Sequence, residues 1–493
     1  MPEWVAEVPE RFRHFIPPKG VQLPDVFDAH PSHPLPTLPP TSGSQLQNSV
    51  IWQVNLPCQQ NNISVIMVEC GNVGMDEIQR KNSFKWNVEW IDIGKRELDI
   101  ARRLGELPTH ICERLHDEEI ATENRDPSLG LYNISDQGSW YLNFILAGFD
   151  IKWMSWSDFF QAVLRRAGPH WSCLQSTDLI VGGFGCANNF LETFPLLTPS
   201  NFPRFWKHLL RLSENKPMWP GPLHVLPSAA KIGLHVLLGK AAAKRRQYPH
   251  PHVYSLDSME QATSALRDPG LVVKREYSDC GEHVFVHYSK KREDELRKAW
   301  EDTKSIYQGC PLVPAWFAEP FSTAFAEKGE IRAYLANGLF VGAVYTEPMP
   351  KEDRLFVERV DRFTPLNLLE PGPGFVPSGS ITIAGNKRRR IFNEDLDKAD
   401  LDRGEAEFRR FVEETVAGLI EEEEKIKGQK KSSLRVFCRV DVGLILDGNG
   451  EYHYYASEVE RSLTVGLFRC QTSVHVVGLM QRAIQALLAF FGF

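Results

Sequence analysis

The sequence predicts mixed α/β and α+β architecture, with an amino-terminal α/β domain, a small central lid domain and a carboxy-terminal domain built on an antiparallel sheet. Three observations carry this. Short apolar runs alternate with helical patterns before residue 225, strands and helices alternate at close spacing over 226–315, and long strand patterns end in a hairpin signal around Gly448. A length of 493 residues with 42% apolar content supplies enough buried surface for several cores.

Residues 1–49 read as a Pro-rich extended tail, because positions 17–45 are rich in Pro, Ser and His and follow neither helical nor strand period. The domain over 50–225 has strand patterns at 50–54, 65–70 and 179–182 and helical patterns at 97–104 and 157–166. The lid domain, 226–315, reads helix 229–247, strand 253–256, helix 259–267, strand 271–277, strand 283–288 and helix 291–307. The last domain, 316–493, opens with strands at 316–321, 330–336 and 339–345, the latter two joined by an Asn337-Gly338 turn.

A Pro/Gly-rich, charged insertion follows over about 347–402, in which the basic run 387–390 reads as solvated loop. Across 405–427, Phe408, Phe411, Val412, Val416, Leu419 and Ile420 recur at helical spacing, which places the glutamates on a solvated face. The apolar segment 474–493 is interrupted by His475, Gln481, Arg482 and Gln485, so it fits a core-packed helix better than a membrane span.

Composition removes several classes of function. The formal charge of −7, with both signs mixed along the chain, gives no broad basic field for a phosphate backbone, so nucleic acid is not an expected partner. Nine cysteines stand singly without a CxxC pair, which suits free thiols in a reducing compartment, and the cytoplasm is expected. The first twenty residues lack an apolar h-region, so neither a secretory signal nor a membrane association is expected. Gly233 to Lys240 misses the P-loop spacing, and Gly182-Gly183-Phe184-Gly185 lacks the third glycine of a dinucleotide fingerprint.

Chemistry concentrates at 435–460, two strand patterns joined by Asp447-Gly448-Asn449-Gly450. A turn centred on Gly448-Asn449 sets Arg439 opposite Glu458 and Asp441 opposite Ala456; a turn one residue later sets Arg439 opposite Glu460 and Asp441 opposite Glu458. In both registers the period of two puts Arg439, Asp441, Glu458 and Glu460 on one face. Three carboxylates and a guanidinium crowded on one face suit a hard cation such as Mg²⁺, and the alternative is an exposed hairpin with cross-strand ion pairs.

Upstream, Lys274 leads into a small-residue turn containing Ser278 and Gly281, whose backbone N–H groups could approach a phosphate; an ordinary hairpin is the alternative. The run from Trp316 through Phe317 and Glu319 to Pro320 reads as a hinge beside an adenosine or as an edge strand. Glu330, Arg332 and Tyr334 share a strand face, where Arg332 serves either as a carboxylate clamp or as an ion-pair partner of Glu330.

In order and spacing, Lys240, Lys274 with its Ser/Gly turn, the Glu319 hinge, Glu330-x-Arg332, Arg439-Val-Asp441 and Glu458-Val459-Glu460 resemble the motif series of the ATP-grasp superfamily, over about residues 226–493. The resemblance implies an ATP-grasp fold, and a ligase that uses ATP and Mg²⁺ to convert a small-molecule carboxylate into an acyl phosphate and join it to an amine. It implies phosphate contacts from Lys240, Lys274 and the Ser278 to Gly281 loop, adenosine contacts from Phe317 and Glu319, charge stabilisation by Arg439 with Arg332 on the substrate, and metal ligation by Asp441, Glu458 and Glu460. Substrate contacts are also implied for Arg332, for the insertion after Glu347 and for the segment 461–466. Many members carry an N-E-x-N signature, where this chain has Ser457 and Glu460 in place of the two asparagines. A homodimer accords with the resemblance, since many relatives form dimers. A ligase acting on protein side chains or termini, a non-catalytic nucleotide-binding module, and an ATP-dependent kinase of the same superfamily that would release a phosphorylated product are the alternatives.

Overall fold

In the computed structural model of the chain, the described residues are 63–69, 84–86, 100, 102–109, 111–114, 132–134, 136–184, 190–194, 196–223, 225, 230–278, 283–324, 329–346, 357–360, 363–369, 397–425, 431–461 and 473–493. The expected tail, the strand at 50–54, the run 387–390 and most of the 347–402 insertion lie outside them.

The first layer is a parallel sheet of order β5-β1-β6-β7, formed by β1 (Ser64–Val68), β5 (Asp150–Met154), β6 (Leu179–Gly182) and β7 (Met218–Trp219). A small antiparallel sheet, β2 (Phe84–Trp86), β3 (Cys112–Arg114) and β4 (Tyr132–Ile134), accompanies it. All four residues of β6 are buried, as parallel strands covered on both faces require. One face meets α1 (Asp136–Leu146); the other meets α2 (Trp156–Arg165), α3 (Pro169–Ser176), α4 (Phe190–Thr193) and α5 (Phe202–Asn215) through a cluster containing Trp156, Phe184, Phe194 and Phe205. Helix α2 starts where Ser155 accepts the Asp158 N–H and stops at left-handed Arg166, the cap logic expected of a short surface helix.

The lid follows as α6 (Lys231–Arg245), β8 (Tyr254–Leu256), α7 (Met259–Arg267), β9 (Leu271–Arg275), β10 (Val284–Phe285), α8 (Lys290–Ile306) and β11 (Trp316–Pro320), with sheet order β10-β9-β11-β8. Strand alternation divides this sheet cleanly. Val273, Phe285, Trp316 and Ala318 pack on α7 and α8, while Lys274, Phe317 and Glu319 project from the other face.

The last sheet has order β14-β13-β12-β15-β16, from β12 (Glu330–Ala336), β13 (Leu339–Thr346), β14 (Val357–Arg359), β15 (Phe437–Leu446) and β16 (Tyr452–Glu460). Its apolar face carries Ile331, Ala333, Leu335, Val440, Val442 and Val459 and is covered by α6 and α9 (Lys398–Glu424). Helix α9 begins at the Asp397 cap and β14 lies on β13, so part of the segment expected as an irregular insertion is regular structure. The two helices approach closely at Gly418, where an added Cβ would lie 2.8 Å from Ala241 Cβ. The carboxy-terminal helix α10 (Ser473–Phe491) buries Met480, Ile484 and Leu487 against Trp140 of α1 and Phe437 of β15, in one core shared with the parallel sheet. Among the described residues no helix is long and apolar enough to cross a membrane.

Candidate active site

The hairpin sets the geometry. Near its turn Leu446 pairs with Tyr452, a register halfway between the two expected ones; a bulge between Asp441 and Val442 then shifts the pairing, so that Asp441 faces Glu458 and Arg439 faces Glu460. The residue left over is Ser457, whose hydroxyl donates to the Asp441 carbonyl at 3.1 Å. All four charged side chains therefore share a face, and β12 adds Arg332 opposite Asp441 and Tyr334 opposite Arg439.

Arg439 grips Asp441 with both arms, Nε to Oδ1 at 2.6 Å and Nη2 to Oδ2 at 2.7 Å. Asp441 and then the hydrogen bonds between them outweigh burial and hold the Arg439 guanidinium well above its usual range. Arg332 Nε donates to Glu330 Oε1 at 2.6 Å and lies 4.0 Å from Asp441 Oδ2. Its Nη1 is buried and has no hydrogen-bond partner among the described residues. Burial, and after it the neighbouring Asp441, raise the Glu330 carboxyl against the pull of Arg332 and Arg439.

The lid presents its polar face to the same place. Lys274 forms an ion pair with Glu319 Oε1, and His235 Nε2 lies 3.3 Å from Oε2. Burial opposes ionisation of Glu319, but Lys274 and His235 overcome it and hold the carboxyl well below the usual carboxylate range. From α6, Lys231 Nζ lies 3.1 Å from Glu458 Oε1. Burial resists the Glu458 charge, yet Lys231, Arg439 and Lys274 together keep its carboxyl well below normal. Tyr455 feels both Glu319 of the lid and Glu330 of β12, after a larger upward push from burial. The two polar faces thus look at each other across one ionic cluster.

The cluster contains most of the expected site residues: Lys274, Glu319, Arg332, Arg439, Asp441, Glu458 and Glu460, with Phe317 beside His235 at a ring separation of 5.9 Å. Lys240 is on the same helix as Lys231. It follows Lys231 by nine residues on α6, about two and a half turns, and so points to the opposite side of the helix about 13.5 Å further along. The lysine at Glu458 is Lys231, which sequence reasoning missed; its spacing of four from His235 was the available signal. Ser278 is buried and donates to the Arg275 carbonyl at 2.8 Å, so its hydroxyl serves the turn; Gly281 lies outside the described residues.

Arg461 also departs from expectation. It is fully buried and bonds Glu423 of α9 with Nη1 at 2.8 Å and, through Nη2, with the second oxygen, so it anchors the end of β16 instead of meeting a substrate. Glu423 is correspondingly an exception to the solvated face expected of α9, and 462–466 lie outside the described residues. A further buried carboxylate, Glu276, accepts the Ile232 N–H at 3.3 Å and the Ala315 N–H at 3.1 Å. Helix α6 has no side-chain cap of its own, so Glu276 supplies one from the lid and sets the position of Lys231.

No protein-family model matches the chain, and no curated protein matches it. Among solved structures it is similar to a D-cycloserine synthetase, at 12% identity and a TM-score of 0.39 over 86% of this chain and 98% of that one. It is similar also to the D-alanine–D-alanine ligase of Bacillus anthracis complexed with ATP, at 12% identity and a TM-score of 0.38 over 87% of this chain and 99% of that one. A third similar structure is an ATP-grasp ligase complexed with its minimal precursor, at 9% identity and a TM-score of 0.36 over 71% of this chain and 95% of that one.

Proposed function

We propose that the chain is an ATP-grasp ligase that uses ATP and Mg²⁺ to activate a small-molecule carboxylate as an acyl phosphate and joins it to an amine, releasing ADP and phosphate. One observation carries the reading. Register brings Arg439, Asp441, Glu458 and Glu460 onto the face that also holds Arg332 and confronts Lys231 and Lys274.

A carboxylate is a poor electrophile, because attack adds charge to an anion and must expel oxide. Transfer of the γ-phosphoryl group cures this: a carboxylate oxygen bonds to phosphorus as the bridge to ADP breaks. The amine then attacks the acyl carbon, phosphate departs and the nitrogen loses a proton. The protein's task is to hold reactants and neutralise charge. On this reading Lys231 and Lys274 would meet phosphate oxygens, and Arg439 would stabilise the charge that grows during transfer. Lys231 takes the part first expected of Lys240, because it is the one that reaches Glu458. The buried, unpartnered Nη1 of Arg332 suits an oxygen of the substrate carboxylate. On this reading Phe317 and Glu319 would contact adenosine.

Asp441, Glu458 and Glu460 offer oxygen donors on one face. They are the residues that would hold a hard divalent cation, and to do so Asp441 would have to exchange its Arg439 pair, and Glu458 its Lys231 pair, for the metal. Bound Mg²⁺ would supply neutralisation of the phosphate oxygens.

The test is to incubate the protein with ATP, Mg²⁺ and mixed amino acids and to follow ADP and phosphate. Release that rises only when an acid and an amine are both present supports the ligase. Tight ATP binding with no turnover under every substrate mixture would leave a nucleotide-binding module and overturn the proposal.

A further inference from the structure

Two histidines stand behind Glu319. His235 is buried on α6, with Nε2 3.3 Å from Glu319 Oε2 and Nδ1 2.8 Å from His250 Nε2. The rings lie 5.0 Å apart, and His250 rests over Gly239, where an added Cβ would come 4.0 Å from its own Cβ. On its other oxygen Glu319 is held by Lys274 of β9. Glu319 on β11, Lys274 on β9 and His250 after α6 form this chain of charged and titratable groups, and Tyr455 of β16 lies within electrostatic reach of Glu319.

The hydrogen positions follow from counting donors. An ionised Glu319 only accepts, so the nitrogen facing it, His235 Nε2, must carry a proton. Burial, the largest cause, pushes His250 down to about 3, so His250 is neutral and owns one N–H. The 2.8 Å contact is then made either by a His250 Nε2–H onto a bare His235 Nδ1, or by a His235 protonated on both nitrogens donating to a bare His250 Nε2; the first needs no added charge on the buried His235 ring.

We infer that His250 is a positioning residue for the nucleotide site: its Nε2–H donates to His235 Nδ1, turns the His235 Nε2–H onto Glu319, and thereby fixes the carboxylate that orients Lys274. This rests on the proposal that Glu319 and Lys274 contact nucleotide. The relay leaves Glu319 Oε1 to Lys274 and directs both side chains without a further charge in the pocket. Without the His250 donor, His235 is free to move its proton to Nδ1, which would turn a lone pair onto a carboxylate.

The experiment uses the full chain. Long-range ¹H–¹⁵N spectra of the histidine rings of the wild type should show His235 protonated at Nε2 and bare at Nδ1; a proton on Nδ1 overturns the inference outright. Calorimetric titration with Mg²⁺ and a non-hydrolysable ATP analogue should show binding by the wild type, a loss of about tenfold in His250→Phe, which keeps the ring but donates nothing, and recovery in His250→Gln, whose amide N–H replaces Nε2–H. Equal affinity in all three, or equal loss in both variants, also overturns it. Should His250→Phe fail to fold, His250→Leu takes its place under the same criteria. A wild type that binds no analogue refutes the nucleotide site itself, and the ring spectra then still decide the proton order.

Discussion

Lys231 Nζ lies 3.1 Å from Glu458 Oε1, and this ion pair ties the first turn of α6 to β16. If Lys231 serves phosphate, Lys231→Met should lower kcat/KM for ATP by about 10²–10³-fold, whereas Lys240→Met should stay near wild type. Steady-state kinetics on both variants decide between the two lysines. A large loss in Lys240→Met alone would reverse the assignment.

Asp441→Asn and Glu458→Gln should each cut turnover by about 10²–10³-fold while the circular dichroism spectrum is unchanged. Arg439→Ala should reduce kcat far more than nucleotide affinity, since the charge it faces is largest in the transition state. Wild-type rates in all three variants would remove the hairpin from the chemistry.

Glu423 and Arg461 form an ion pair with both side chains at 0% exposure. Arg461→Met strands the carboxylate in the core and should cost about 3–5 kcal/mol in urea unfolding, whereas the double replacement Arg461→Met with Glu423→Leu should recover most of it. A single variant as stable as wild type would show that the pair does not hold β16 in place.

Stability should fall with acid. His250 and His283 are pushed down from the ordinary 6.5 to about 3, His250 chiefly by burial, His283 by burial, Arg275 and Lys231. The unfolded chain takes up protons through 6.5 that the folded rings refuse until about 3, so stability rises with pH across that window. Glu319 acts in the same sense: its depressed carboxyl contributes stability above the ordinary 4.5 and loses it as pH falls through the folded value. Urea midpoints taken between about pH 7 and about pH 4 should drop, and His250→Gln should flatten part of the slope. A flat midpoint in the wild type would contradict the burial of these groups.

Much of this arrangement was legible in the sequence. Period-two alternation identified β9, β11, β12, β13, β15 and β16 and put the carboxylates of the hairpin on one face, because side-chain direction in a strand is set by backbone geometry alone. The register was less accessible, since a bulge depends on local packing around Ser457 that no pattern of two announces. Helix lysines were harder still: Lys231 and Lys240 look alike in a basic, Ala-rich helix, and only the tertiary position of α6 tells which meets Glu458. Arg461 was misjudged for a related reason: the resemblance implied a substrate contact for segment 461–466, and the buried partner of Arg461 lies 38 residues away in the chain.

The extra residue at Ser457 works like a gear tooth. It moves Glu458 and Glu460 one step along β16 while keeping Asp441 and Arg439 where they are. An arm of this hairpin could therefore lose or gain two residues near its tip and still mesh. Removing Ser457 would leave Ala456 opposite Val442 and Glu458 opposite Asp441 in an unbroken ladder, so the bulge can absorb one residue of length without turning the glutamates through the sheet.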